Sequence, residues 1–227
     1  STDNTRSIVS SFVDARIRSI HQPHSGLPAC ARNKGISCAT GRFIALLDGD
    51  DLWTKEKLAR CKAAFDEDPA VGLVYHNLTV LHNEIPVRNI SFGTVVNDMY
   101  DKLLLSGNCL GPSAVVFRRE FFSERHIKFN EGKEFFTIED YDFWLQLSKV
   151  CRFRLIPEVL AYYRITETGA FLGNAETSSQ NMLRLLTTHF AKLENPTLTQ
   201  RYRMRKRISS VMCAAGRMHH HHRHYAD

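Results

Sequence analysis

An α/β fold built on a mostly parallel sheet is what this sequence predicts, and three observations predict it. Segments with helical spacing alternate with short apolar runs through the first eighty residues, the pattern of strand and helix units. One apolar strand runs directly into the acids of Asp48-Gly49-Asp50-Asp51, and open sheets of this class gather ligands beyond the carboxyl ends of their strands. At 227 residues, 43% hydrophobic and 24% charged, the chain can bury a core of its own.

Taken in order, residues 4–15 read as a helix opened by Ser, Thr and Asp capping candidates, with Ile8, Phe12 and Val13 on one apolar face. A short strand, 16–21, then enters a turn at 23–26. Pro28 starts a second helix that Gly41 is expected to stop, and the strand 42–47 follows. Residues 54–66 have helical spacing in Leu58, Cys61, Ala64 and Phe65, and 71–75 form an apolar strand ended by His76 and Asn77. The second half is looser. A connecting segment covers 81–93, a helix 95–105, and the loop Gly107-Asn108-Cys109-Leu110-Gly111-Pro112-Ser113 leads into the strand 114–117. Arg118, Arg119 and Glu120 open a short surface helix. A helix begins at Glu139 or Asp140, and Asp140, Phe143, Trp144, Leu147 and Cys151 then share one inward face.

The acids carry the chemistry. Along a strand Asp48 and Asp50 point the same way, and Gly49 lets a ligand approach the backbone. Two such carboxylates suit Mg²⁺ or Mn²⁺, which takes its other ligands from water and phosphates; the plainer alternative is a solvated turn capping the next helix. Asp140 stands where an apolar helix face meets a crevice, placed to accept a proton, although Glu139 and Asp140 could equally be N-terminal acids that stabilise the helix dipole.

Three stretches together resemble the family 2 glycosyltransferases. The first is Ser25 to Trp53, with Ala31-Arg32-Asn33-Lys34-Gly35, Ala39-Thr40-Gly41, a strand and Asp48-Gly49-Asp50. The others are Ile138-Glu139-Asp140-Tyr141-Asp142 and Tyr162-Tyr163-Arg164. The resemblance implies a GT-A fold and inverting transfer of a sugar from a nucleotide diphosphate donor, a UDP-sugar foremost, to a saccharide or lipid-linked acceptor in cell-envelope glycan synthesis. In that scheme Asp140 is the base, and Asp50 with Asp48 holds the cation. Arg32 lies near the nucleotide, and Asp48 is alternatively on the ribose. Asp51, Glu139, Asp142, Ser113 and Arg164 are supporting candidates. The loop 107–113 either contacts the donor sugar or only turns the chain. No Gln-x-x-Arg-Trp occurs, which favours single-sugar transfer. Ser1-Thr2-Asp3-Asn4-Thr5 matches the turn after the family's second strand. The fold is therefore expected to be N-terminally truncated here, its base and ribose pocket incomplete, and a non-catalytic binding or scaffold module is the competing reading. Residues 1–80 are then the donor part, and 81–200 the acceptor and base part of the same domain.

Residues 201–227 hold seven Lys or Arg against one acid, leaving 23 of each sign before them. Arg201 to Arg207 lie in a basic helix that suits an anionic membrane surface through 201–217, attracts phosphate generally, or is simply solvated. No nucleic-acid motif accompanies it, and no nucleic acid is expected as partner. His219 to His224 read as a disordered tail or a purification tag outside the active site. Six cysteines without Cys-x-x-Cys spacing read as reduced packing residues, and no apolar run spans a bilayer. The expected location is the cytoplasm, at the inner face of the membrane.

Overall fold

The computed structural model describes residues 3–93, 96, 98–165 and 175–224, with 175 and 217–224 as backbone alone. Ser1, Thr2 and the Val95 start of the expected helix 95–105 lie outside the described residues.

Helix α1 (Thr5–Ser11) is shorter than its pattern and buries nothing. Ile8, Phe12 and Val13 all face solvent, because an apolar stripe commits a helix face only where a partner surface meets it. The expected strand at 16–21 pairs with nothing in the described residues. Helix α2 (Pro28–Cys38) starts as predicted, since proline presets φ and lacks an N–H that would be unpaired there anyway. It turns Ala29, Asn33 and Ile36 inward. Its end comes at Cys38, before Gly41, where Ala39 goes extended and its N–H caps Ile36.

Strands β1 (Phe43–Ala45) and β2 (Leu52–Trp53) flank the acidic turn, and helix α3 (Lys57–Glu67) follows. Its inner stripe is Lys57, Cys61, Ala64 and Phe65; Leu58, expected inside, is 55% exposed. Strand β3 (Val71–His82) runs well past the predicted stop at His76 and Asn77. Those polar residues stay in the strand because their side chains find partners. Asn77 donates to the Pro157 carbonyl at 3.0 Å and accepts from the Phe92 N–H at 3.0 Å. His76 is wholly buried, which pushes its pKa down to about 4 and keeps it neutral. Asn83 and Glu84, both at positive φ, then make a tight hairpin into β4 (Ile85–Ile90), where the sequence predicted only a connection.

Helix α4 (Met99–Ser106) is capped by the Asp98 carboxylate on the Asp101 N–H. Strand β5 (Val115–Arg118), helix α5 (Glu120–Ser123), helix α6 (Glu139–Ser148) and strand β6 (Arg152–Ile165) complete the described sheet region. Arg118 is a core residue, contrary to its surface assignment. Its guanidinium donates to the Val71 and Pro69 carbonyls at 2.8 and 3.1 Å. Helices α7 (Ala175–Ala191) and α8 (Leu198–His224) close the chain, so the histidine tract continues a helix.

The sheet order is β1-β5-β3-β6-β2, with β4 added on β3. It is mixed, not mostly parallel: β3 pairs parallel with β6, and every other described pairing is antiparallel. The reason is β5, which inserts between β1 and β3 in the opposite sense, so that β1, β3 and β6 still share one direction. Helices cover both faces. Leu73, Tyr75, Val115 and Phe117 point to the larger core with α6, while Val74 and Val116 alternate onto the smaller one with Cys61 and Phe65 of α3. Helix α6 is buried nearly all round, with Phe143 stacked 4.0 Å from Phe129 and edge-on to Trp144 at 5.3 Å.

Candidate active site

Strand β1 stops before the acids, so period-two alternation does not orient them. Asp48 to Asp51 form a turn closed by the Asp51 N–H on the Asp48 carbonyl at 3.1 Å. The three carboxylates therefore differ in surroundings. Asp50 is exposed, Asp48 is half-buried, and Asp51 is buried. Burial raises the Asp51 pKa, opposed by bonds from the Ser113 hydroxyl and from the Arg164 N–H at 3.1 Å. Ser113 also accepts from the Asp48 N–H at 3.0 Å, so one hydroxyl ties the turn to the strand β5 entry. Beneath lies a buried cation that sequence reasoning missed. Lys57 donates to the Ser113 carbonyl, which Trp53 Nε1 also reaches at 3.0 Å, and its ammonium lies 4.1 Å over the Trp53 ring. Burial drives the Lys57 pKa down to about 7. The only sequence signal for it was a lysine where a helical stripe should have carried a hydrophobe.

Arg32 joins the two acidic motifs. Helix α2 aims its guanidinium so that Nη2 donates to Asp48 at 2.9 Å and Nη1 to Glu139 at 2.7 Å, and the guanidinium also packs 5.5 Å over the Phe129 ring. Its pKa is raised: burial works against the charge, but Asp48, Glu139 and Asp140 together outweigh it. The neighbouring Asn33 clamps the chain that leads to α6. It donates to the Phe129 carbonyl and to Glu131, both at 2.8 Å, and accepts from the Phe129 N–H at 3.0 Å. Two residues before Glu139, Thr137 holds φ at +69°, costly for a β-branched side chain.

Asp140 sits beside this pair, partly open to solvent. Its Oδ1 accepts from the Tyr141 N–H at 2.6 Å, and Asn108 Nδ2 approaches Oδ2 at 3.4 Å. The protein packed around it, and then the charge of Glu139, push its pKa up to about 7, with Arg32 pulling the other way. Asp48 also acts on it, so the early and late acids share one field. Tyr141 donates to the Leu103 carbonyl at 2.6 Å and is bonded by Arg207 of α8, which packs against Gly107 where a Cβ would stand. Gly107, at φ +112°, allows that approach.

The structure thus brings Arg32, Asp48, Glu139 and Asp140 together, with Ser113 and Asp51 behind the acidic turn. Asp142 is elsewhere: it accepts from Gln146 at 2.7 Å and faces His189 of α7 at 4.0 Å. The Arg164 side chain turns to Glu84 in the β3–β4 hairpin at 2.8 Å, leaving its backbone N–H to hold Asp51. Among the described residues no group of three His, Cys, Asp or Glu is gathered for a metal. A hard cation asks for less than that. The exposed Asp50 and the half-buried Asp48, the latter paired with Arg32, are the two carboxylates here that could supply oxygens to Mg²⁺ or Mn²⁺.

Comparison with known proteins agrees with this architecture. The family model for glycosyl transferase family 2 matches residues 1–126. The Escherichia coli UDP-Glc:alpha-D-GlcNAc-diphosphoundecaprenol beta-1,3-glucosyltransferase WfgD is 33% identical over 66% of this chain and 55% of its own. Chondroitin synthase of Pasteurella multocida is 28% identical over 88% of this chain but 20% of its own. The chain spans about half the length of WfgD. Among solved structures, S. aureus TarS 1-349 in complex with UDP-GlcNAc has a TM-score of 0.69 at 20% identity, covering 90% of this chain and 59% of that one. The Pyrobaculum calidifontis mannosyltransferase PcManGT, in complex with GDP-Man and Mn²⁺, has a TM-score of 0.57 at 16% identity over 96% of this chain and 62% of that one. The fold is of the GT-A type, and with a family model matched over more than half its length the chain belongs to glycosyl transferase family 2.

Proposed function

We propose that this chain transfers a sugar from a nucleotide diphosphate donor, a UDP-sugar, to the hydroxyl of a saccharide or lipid-linked acceptor, with inversion. The observation that carries this reading is the Arg32 fork, which holds the acidic turn against the residue next to Asp140. A donor seated at the turn would then present its anomeric carbon toward Asp140. Asp140, with a pKa near 7 and an open side, takes the proton of the acceptor hydroxyl as that oxygen attacks. Attack from the face opposite the leaving diphosphate requires the base and the donor seat to flank one crevice. Asp50 and Asp48 would hold Mg²⁺ or Mn²⁺, which supplies charge neutralisation to the diphosphate. WfgD's name specifies a diphosphoundecaprenol-linked acceptor and TarS is solved with UDP-GlcNAc, which supports a UDP-sugar and a lipid-linked acceptor here.

The test pairs transfer with binding. Asp140→Asn should retain UDP affinity and lose turnover by about 10² to 10⁴, the usual scale for a general base. Asp50→Ala should lose the Mn²⁺-dependent part of UDP binding, read by calorimetry without turnover. Unchanged transfer by Asp140→Asn would refute the base assignment. Tight UDP binding in wild type with neither transfer nor donor hydrolysis would make the chain a binding module of the same fold.

A further inference from the structure

Helix α8 has two faces of opposite character. Gln200, Met204, Arg207, Ile208 and Val211 lie on the inner side, with Met204, Ile208 and Val211 packed on the main core. Arg203, at its margin, donates to the Ser106 hydroxyl at 2.9 Å. The outer side repeats at helical spacing as Leu198, Tyr202, Arg205, Ser209 and Met212, every one exposed. Leu198 is 85% exposed, Tyr202 66% and Met212 57%, which is far beyond what packing against this chain would leave. Arg201 borders that stripe on one side and Lys206 on the other, with Arg205 within it, all three exposed and without a carboxylate partner among the described ion pairs. Between Leu198 and Gly216 there is no acidic residue, while the chain before residue 201 is charge-neutral.

We infer that the outer face of α8 docks on an anionic lipid bilayer, with Leu198, Tyr202 and Met212 entering the interface and Arg201, Arg205 and Lys206 meeting the headgroups. Spacing and charge both fit that occupant. Aliphatic and aromatic side chains in a narrow stripe, edged by cations, match the depth profile of an interfacial helix. A protein partner would leave the cations needing acidic counterparts, and a nucleic acid would leave the apolar stripe unused. The orientation is also informative. Through Arg203 and Arg207 the inner face holds Ser106 and Gly107, immediately before the Asn108 that faces Asp140. Docking would therefore act on a helix that touches the loop bearing Asn108. The inference does not depend on sugar transfer, and its test uses neither donor nor acceptor.

The experiment is flotation of the full chain with vesicles of phosphatidylcholine alone or mixed with phosphatidylglycerol. It is run at about pH 8, above the ordinary titration range of histidine. Wild type should partition at least tenfold better onto the anionic vesicles and lose that preference as salt rises. The triple variant Arg201→Glu, Arg205→Glu, Lys206→Glu should bind roughly 100-fold more weakly, and Leu198→Ser with Tyr202→Ser should bind weakly even at low salt. Equal binding to both vesicle types would overturn the proposal, as would full binding by the charge-reversed variant. Retention on single-stranded nucleic acid with none on vesicles, or dimerisation through the same face, would assign it to another partner.

Discussion

Asp140 is held near a pKa of 7 by the protein around it and by Glu139, so its protonation state changes within the working pH range. In the proposed role of base it would act only when ionised, and kcat/KM should therefore rise through about pH 7 and level off above it. Glu139→Gln removes a like charge and frees Arg32, both of which favour the carboxylate, so the acidic limb should move to lower pH. The same shift has a cost in stability. A carboxyl whose folded pKa is raised above its ordinary 3.8 destabilises the native state progressively as pH climbs from about 4 to about 7, and fully beyond. Asp140→Asn should thus raise the melting temperature by a few degrees at about pH 8 and leave it unchanged at about pH 4, as calorimetry would read. Arg32→Lys keeps the charge but cannot span Asp48 and Glu139 together, and a loss of at least ~10² in kcat/KM is expected of it. At this scale the sequence singled out Arg32, Asp48 and Asp140, which the structure gathers in one place, because the motifs that carry them are local. It did not disclose the Arg32 fork, which joins residues 107 apart, nor Lys57, whose burial depends on Trp53 and Ser113 arriving above it.

Among elements, α2 is the one on which the site is built, and Asn33 is its anchor. Asn33→Ala would strip the Phe129 N–H and carbonyl of their partners in the interior, a loss of about 2–3 kcal/mol that urea unfolding would register. Strand β3 offers a steric counterpart. A methyl group on Gly72 would collide with Cys151 and Phe121, so Gly72→Ala should destabilise by about 1–3 kcal/mol without changing the pH profile. Helix α6 and the start of α2 were legible because proline, apolar spacing and N-terminal acids are local signals. Strand β3 was read five residues long where it runs twelve, since nothing in His76 and Asn77 announces that Pro157 and Phe92 will satisfy the asparagine. The exposed stripe of α1 shows the converse: periodicity marks a face, and only a neighbour buries it.

For the molecule as a whole, charge and hydrophobicity are partitioned along the chain. A neutral α/β body ends in a cationic helix whose inner side completes the core through Met204, Ile208 and Val211. Deleting 201–227 should therefore lower stability by on the order of 3–5 kcal/mol, seen as a drop of roughly 10 °C in melting temperature. The mixed sheet was not legible, because alternation of helices and strands predicts parallel neighbours and contains no sign that β5 will arrive later and intervene. That late arrival matters beyond topology. Since β1 leaves the sheet at the edge where β5 enters it, Asp48 and Ser113 meet across 65 residues of chain as if they were adjacent. The excursion between them carries α3 and the central strand β3, so a single hydroxyl latches the acidic turn to the far end of the segment that builds the middle of the sheet.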